Sequence, residues 1–259
     1  MITTTAFFND TETATGNTFR AGTLDLQIDN SSYYNGQFNP ATSWALRDLT
    51  VEKFFDFIDL KPGDHGEDTI SLHIKDNPAY ACVNFRQTEN SDHGFSEPED
   101  MMDGQVNQSD GTPTGDLGRR IVIKFWLDDG DNVLEMNEQP FDHLTGTLDS
   151  LFTKTAAIAD ATSQPLEPNR TYHIAKFWCY GSPRVVMIYR QDGLGLTQLI
   201  GGNGPDRRPN FICDGSVIDN RGQTDIFKGD ISFYAVQARN NPNFICSPSL
   251  FPSPTSAPL

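Results

Sequence analysis

Apolar and polar residues alternate along much of this chain with a period of two, the spacing that sends one face of a β-strand inward and the other outward. Leu24, Leu26 and Ile28 alternate with Thr23, Asp25 and Gln27, and Ile70, Leu72 and Ile74 alternate with Ser71 and His73. Residues 79–85 continue the theme directly after the turn signal Asn77-Pro78. Residues 121–126, 172–179, 185–189 and 231–238 read as further strands. Helical spacing is scarce; the best stretch is 144–159, with Leu148, Leu151 and Phe152 on one face. The pattern predicts a mostly β protein, a jelly-roll β-sandwich with long loop insertions and one or two short helices.

Residues 30–40, rich in Asn, Ser, Tyr and Gly, read as a loop, as do the acidic residues 88–118 and the turn cluster Gly201-Gly202-Asn203-Gly204-Pro205. Residues 247–259 carry Pro248, Pro252, Pro254 and Pro258 without a periodic apolar face and read as an extended tail. No repeat or linker divides what lies between. The organisation expected is an N-terminal segment over residues 1–12, one jelly-roll domain over 13–246, and the Pro-rich tail.

Composition narrows the class. A chain of 259 residues can bury a substantial single core, and 18 Phe, 7 Tyr and 3 Trp suit a pleated one. The 19 Lys and Arg against 35 Asp and Glu leave a net charge of −16, which argues against binding a phosphate backbone, so no nucleic-acid partner is expected. No stretch approaches the run of about 18 apolar residues that a membrane helix needs, so no transmembrane segment is expected. Cys82, Cys179, Cys213 and Cys246 are even in number, widely spaced and free of any C-x-x-C pair. That sets aside zinc ribbons and thioredoxin-type chemistry and fits two structural disulfides in an oxidising compartment, four reduced thiols in a cytosol being the alternative. The opening Met1-Ile2-Thr3-Thr4-Thr5 has no hydrophobic leader, so a secreted protein is expected here in a mature form with an added initiator Met.

Catalytic signatures are missing: there is no H-E-x-x-H, no G-x-S-x-G and no P-loop, and His65, His73, His93, His143 and His173 are scattered. No nucleophile–base pair can be nominated, and a non-enzymatic protein is expected. The densest acidic constellation is Asp128-Asp129-Gly130-Asp131-Asn132-Val133-Leu134-Glu135, with Glu138 just beyond. Carboxylates and an amide around a glycine turn are what a hard cation needs, which makes Asp128, Asp129, Asp131, Asn132, Glu135 and Glu138 a candidate calcium set and calcium the one candidate cofactor. The register is not that of an EF-hand, because counting from Asp128 places Gln139 where the closing Glu belongs. A solvated acidic turn is the competing reading. Glu97, Glu99, Asp100 and Asp103 would supplement such a site or keep a long loop soluble.

The N-terminus sets adjacent aromatics close to a chain end, in Ala6-Phe7-Phe8-Asn9-Asp10. Burying one Phe is worth about 1.5–3 kcal/mol, so two left in water would waste a sizeable driving force. The segment either forms an edge strand of its own domain or adds a strand to an open sheet edge of a neighbouring molecule. Head-to-tail pairing of the second kind is heterologous and, when it does not close, builds a filament.

The run Ala6-Phe7-Phe8-Asn9-Asp10-Thr11-Glu12-Thr13, followed by Gly16-Asn17-Thr18-Phe19-Arg20-Ala21-Gly22-Thr23-Leu24-Asp25-Leu26, closely resembles the mature start of the TasA/camelysin family. Asp59-Leu60-Lys61-Pro62-Gly63-Asp64 resembles that family's motif before the next strand. The resemblance covers about the first quarter of the chain. It implies secretion after cleavage by a SipW-type signal peptidase, a jelly-roll fold, and a role as a fibre protein of biofilm matrices. It also implies assembly by donor-strand exchange, with Ala6, Phe7, Phe8, Asn9 and Asp10 matching the start of the donor, and Thr4 and Thr5 just upstream included in the expected donor segment. The four cysteines depart from the family's fibre-forming members, which need not contain any. Camelysin-like members have been described as metalloproteases, but no zinc-protease motif stands here to carry that over.

Four cysteines allow three pairings and the sequence does not choose among them; the working expectation is Cys179–Cys213 with Cys82–Cys246. The function expected is a secreted, extracellular or cell-surface structural subunit that polymerises head to tail with itself, other matrix components being further candidate partners. A calcium-dependent surface adhesin is the alternative, and a secreted metalloprotease using His65 or His73 a more distant one. Asn9, Asn30, Asn107 and Asn169 open N-x-S/T sequons.

Overall fold

The computed structural model describes residues 24–92, 114–185 and 211–251, so the donor segment Thr4–Asp10 lies outside the described residues. Strand β1 (Leu26–Tyr34) turns into β2 (Gln37–Phe38), and β3 (Trp44–Arg47) pairs back onto β1. Strand β4 (His65–Ile74) runs antiparallel to β1 from Leu26 opposite Ile74 to Tyr34 opposite Gly66. The chain then crosses to a second sheet as β5 (Ala79–Ser91), returns as β6 (Ile121–Asp128) with the short partners β7 (Gln139–Pro140) and β8 (Gly146–Thr147), and crosses again as β9 (Thr155–Ala159). Strand β10 (Arg170–Tyr180) enters the first sheet between β4 and β6. After the ribbon of β11 (Ser182–Val185) and β12 (Phe211–Asp214), β13 (Ile226–Gln237) lines up along β5. The large sheet has the order β2-β1-β4-β10-β6-β7 and the small one β13-β5-β9. The expected mostly β sandwich is what forms, with two single-turn helices, α1 (Leu117–Arg120) and α2 (Leu148–Leu151).

Alternation puts Ile70 and Leu72 of β4, Ile174 and Trp178 of β10, and Ile121, Ile123 and Phe125 of β6 into one core with Val83 and Phe85 of β5. Three sequence expectations are corrected. Residues 88–91 are the end of β5 rather than the start of a loop, with Glu89, Asn90 and Ser91 opposite Lys228, Phe227 and Ile226 of β13. Residues 30–34 are strand, not loop: Asn30 and Ser32 hold the inward positions of β1, 2% and 1% exposed. Hydrogen bonds from Asn30 Nδ2 and between the Thr42 and Ser32 hydroxyls hold these polar residues in place, while Asn30 Oδ1 has no hydrogen-bond partner among the described residues. Asn30 Nδ2 donates to the Thr42 carbonyl (2.6 Å) and Thr42 Oγ1 to Ser32 Oγ (2.8 Å). Burial also removes Asn30 from the accessible sequons. The hairpin turn follows at Asn35 (φ 49°) and Gly36 (φ 75°), the paired positive values that suit a tight antiparallel turn.

Residues 144–159 are the third correction. One turn of helix buries Leu148 and Leu151, and then the chain straightens into β9. The carbonyls of Phe152 and Lys154 accept from the backbone N–H groups of Gln87 and Phe85, which commits them to the sheet. A single helical turn is a costly nucleus and loses to that pairing.

Each sheet carries a second, smaller layer on its outer face, and a disulfide pins each one. On the large sheet, Trp126, Ala175, Phe177 and Cys179 point outward and are covered by Leu134 and by Phe211 of β12, whose ring stacks on Phe177 at 4.1 Å. Cys179–Cys213 fixes the β11–β12 ribbon there. On the small sheet, Cys82–Cys246 fastens the C-terminal segment, and Phe244 stacks on Tyr80 (5.8 Å) and on Tyr234 (6.1 Å). The tail is therefore ordered further than expected, with a 3-10 turn at Pro248–Leu250 and the Phe251 ring against Tyr234.

Candidate strand-acceptor trough and acidic loop

Strand β13 is an edge. Its twelve residues pair with β5 on one side, and among the described residues no strand pairs with the other. A long unpaired edge is normally covered, charged or interrupted. Here it carries Lys228 and Asp230 and a register break between Lys228 and Gly229, and it also borders a trough. One cavity of about 410 Å³ lies between the sheets, lined by Leu26 and Ile28 of β1, Leu49 and Phe54 of the strap before β4, and Ile231 and Phe233 of β13. A second, of about 700 Å³, continues along residues 225–231 and reaches Phe57, Leu148, Phe152 and Trp178. The two share Glu52, Phe54 and Ile231, so the lining follows β13 without a break from Asp225 to Phe233. Nine extended residues span about 30 Å.

The strap is held from below by a buried ion pair. Lys176 Nζ sits 2.6 Å from Asp68 Oδ2, the two side chains 0% and 1% exposed. The ammonium lies 3.6 Å from the centre of the Phe55 ring and donates to the Phe54 carbonyl at 3.4 Å. Burial pulls the Lys176 pKa down, against the attraction of Asp68. Asp59-Leu60-Lys61-Pro62-Gly63-Asp64 ends the strap. Asp64 N donates to the Lys61 carbonyl (2.9 Å), closing a turn with Pro at the second position and Gly63 at φ 97° in the third. Asp64 then accepts from Tyr34 Oη (2.6 Å) and Asn35 Nδ2 (2.8 Å), which locks the turn to the end of β1. At the far end of the trough, Asp225 accepts from the backbone N–H groups of Asp116 and Leu117. Burial pushes its carboxyl up to about 6.

The acidic loop follows β6 on the other side of the molecule's large sheet. Asp128 Oδ2 accepts from Gly130 N and Asn132 N (2.9 Å each), and its Oδ1 accepts from Trp126 Nε1 (3.0 Å). Glu138 accepts from Asp129 N (2.9 Å) and Glu135 N (3.0 Å). Asp128, Asp131, Asn132 and Glu135 are 7%, 3%, 2% and 1% exposed, so this is not the solvated acidic turn that composition also allowed. Burial pushes Asp128 to about 6, and burial together with the Asp128 charge pushes Glu138 to about 9. Glu97, Glu99, Asp100 and Asp103 lie outside the described residues.

His93 lies outside the described residues, and of the others His73 and His173 come near enough on the large sheet for their charges to interact, with His173 also facing Asp129. His73 Nε2 meets Asp29 Oδ2 at 2.7 Å, His65 Nδ1 meets the Gly63 carbonyl at 3.3 Å, and among the described residues no His belongs to a group placed to share a metal ion. Among the described residues, no helix is long and apolar enough to cross a membrane. No protein-family model matches the chain, and no curated protein matches it in sequence. Sequence reasoning missed the trough, because its lining comes from widely separated stretches that only the fold assembles.

Proposed function

We propose that this protein is an extracellular structural subunit, not an enzyme, that polymerises head to tail by strand donation: residues 4–10 of one copy lie along β13 of the next. The observation that carries this reading is the open β13 edge above a trough in which Ile28, Phe54, Ile231 and Phe233 stand beside the polar Asp48, Thr50, Glu52 and Ser232. A donated strand would take the free backbone groups of β13 and drop alternate side chains between Ile28, Phe54, Ile231 and Phe233. The seven residues Thr4–Asp10 span about 23 Å when extended, within the length of the trough. Phe7 and Phe8 are adjacent, so one of them faces the trough in either register. The resemblance of the N-terminus and of the turn at Lys61–Asp64 to the TasA/camelysin family supports the same assembly and suggests a biofilm-matrix fibre. Two disulfides fit an oxidising, extracellular setting.

Electron microscopy of the intact chain beside one lacking residues 1–10 tests the proposal. Filaments are expected from the intact chain alone, and a synthetic peptide of residues 3–12 should bind the truncated chain as a monomer. Filaments from both forms would sink the reading.

A further inference from the structure

Five carboxylates and one carboxamide of the loop after β6 gather within eleven residues, and strand donation makes no use of them. Ligand oxygens of Asp128, Asp129 and Asp131 lie within 4.8 Å of one another, and so do those of Asp129, Glu135 and Glu138, with Asp129 common to both groups. Two oxygens bound at about 2.4 Å on opposite sides of a calcium ion are about 4.8 Å apart. Each group by itself fits within the coordination sphere of an ion, and Asp129, common to both, is the residue through which one ion would draw on the two groups.

Asn132 is the independent sign. It sits inside this loop at 2% exposure, held by its backbone N–H to Asp128 Oδ2, and among the described residues neither its side-chain oxygen nor its nitrogen has a hydrogen-bond partner. A buried amide left without partners costs folding free energy, and an oxygen-seeking cation would satisfy its carbonyl.

We propose that the 128–138 loop is a calcium site with Asp128, Asp129, Asp131, Asn132 Oδ1, Glu135 and Glu138 as its ligand set. The backbone bonds accepted by Asp128 and Glu138 orient these carboxylates and leave lone pairs for the ion. The oxygen count and the irregular loop favour calcium over magnesium, which demands a near-octahedral shell and keeps its waters. The absence of His and Cys from the set disfavours zinc. Bound there, the ion would fasten the loop that places Leu134 over Trp126, completing the outer layer of the large sheet.

Terbium provides the test, because Trp126 donates to Asp128 at 3.0 Å and so stands beside the ion as a sensitiser. Terbium added to the full chain is expected to give saturable, one-to-one emission on tryptophan excitation, displaced by calcium and not by the same concentration of magnesium. Asn132→Ala and Glu138→Gln should each weaken binding by about tenfold or more while leaving the far-ultraviolet circular dichroism unchanged. Emission that never saturates, or that keeps the same affinity in both variants, would mean a diffuse ion atmosphere around an acidic surface and would overturn the site. The chain lacking residues 1–10 should bind terbium like the intact one, which separates this result from the outcome of the filament experiment.

Discussion

The outer face of the large sheet and the free edge of the small one meet their surroundings in opposite ways. On the face, Phe177, Trp126 and Ala175 are apolar residues pointing away from the main core, and the chain covers them with its own Leu134 and Phe211 under the Cys179–Cys213 bond. At the edge, Ile231, Phe233 and the backbone of β13 border cavities of about 410 and 700 Å³, and among the described residues no strand pairs with the side of β13 turned away from β5. Covering a face takes side chains from any segment that can be tethered nearby. Closing an edge takes a strand in register. The first need is met within the chain; the second is the one we assign to a neighbour.

Breaking the covered regions should cost folding stability, and breaking the open one should cost assembly. The largest effect is expected from the covalent ties. Replacing Cys82 and Cys246 by Ser releases a sequence separation of 164 and should cost about 5 kcal/mol, against about 4 kcal/mol for Cys179 and Cys213 at a separation of 34, read by urea denaturation. Next comes the pair beneath the strap. Lys176→Met alone strands the buried Asp68 and should cost about 3–5 kcal/mol, while adding Asp68→Leu should recover most of it. A double variant no more stable than the single one would show that the two charges do not act as a pair.

Ile231→Asp sharpens the contrast from the other side. The residue is only half-buried, so the monomer should lose about 1–2 kcal/mol by thermal denaturation, whereas filaments should disappear in electron microscopy. Filaments of normal abundance from this variant would place the polymer contact elsewhere.

The smallest effect concerns pH at the far end of the trough. Asp225 faces Asp92 and Asp116, and burial raises its pKa from 3.8 to about 6. A folded-state value above the unfolded one means that the native form holds the proton more tightly. The stability this contributes is complete below about pH 4 and is lost as pH rises toward about 6. Thermal melts across that window should show wild type losing stability relative to Asp225→Asn, and parallel curves would remove Asp225 as the cause.

The strands that the sequence marked clearly were those with apolar inward positions, such as Ile70, Leu72 and Ile74. The end of β1 was hidden because Asn30 and Ser32 carry the alternation with polar groups, and only the distant Thr42 makes their burial tolerable. The apolar stripe of Leu148, Leu151 and Phe152 was real, but it fits one helical turn as well as four, and pairing with β5 ended it. The acidic loop was legible as a composition of ligand types. Its depth of burial was not, since Asp131 and Glu135 are enclosed by a layer that the alternation of β6 and β10 does not announce.

By itself, then, the sequence determined the β class, the position of most strands, the pairs of residue types suited to calcium and to disulfides, and the adjacent Phe7 and Phe8 near the N-terminus. These are properties of local spacing and of side-chain chemistry, and both are written along the chain. Only the tertiary structure decided which strand would be left at an edge, that Leu26, Phe54 and Ile231 would share one trough, and that both sheets would be covered on their outer faces. Those outcomes depend on contacts between residues far apart in the chain, where many partners satisfy the same alternation and close packing selects one arrangement.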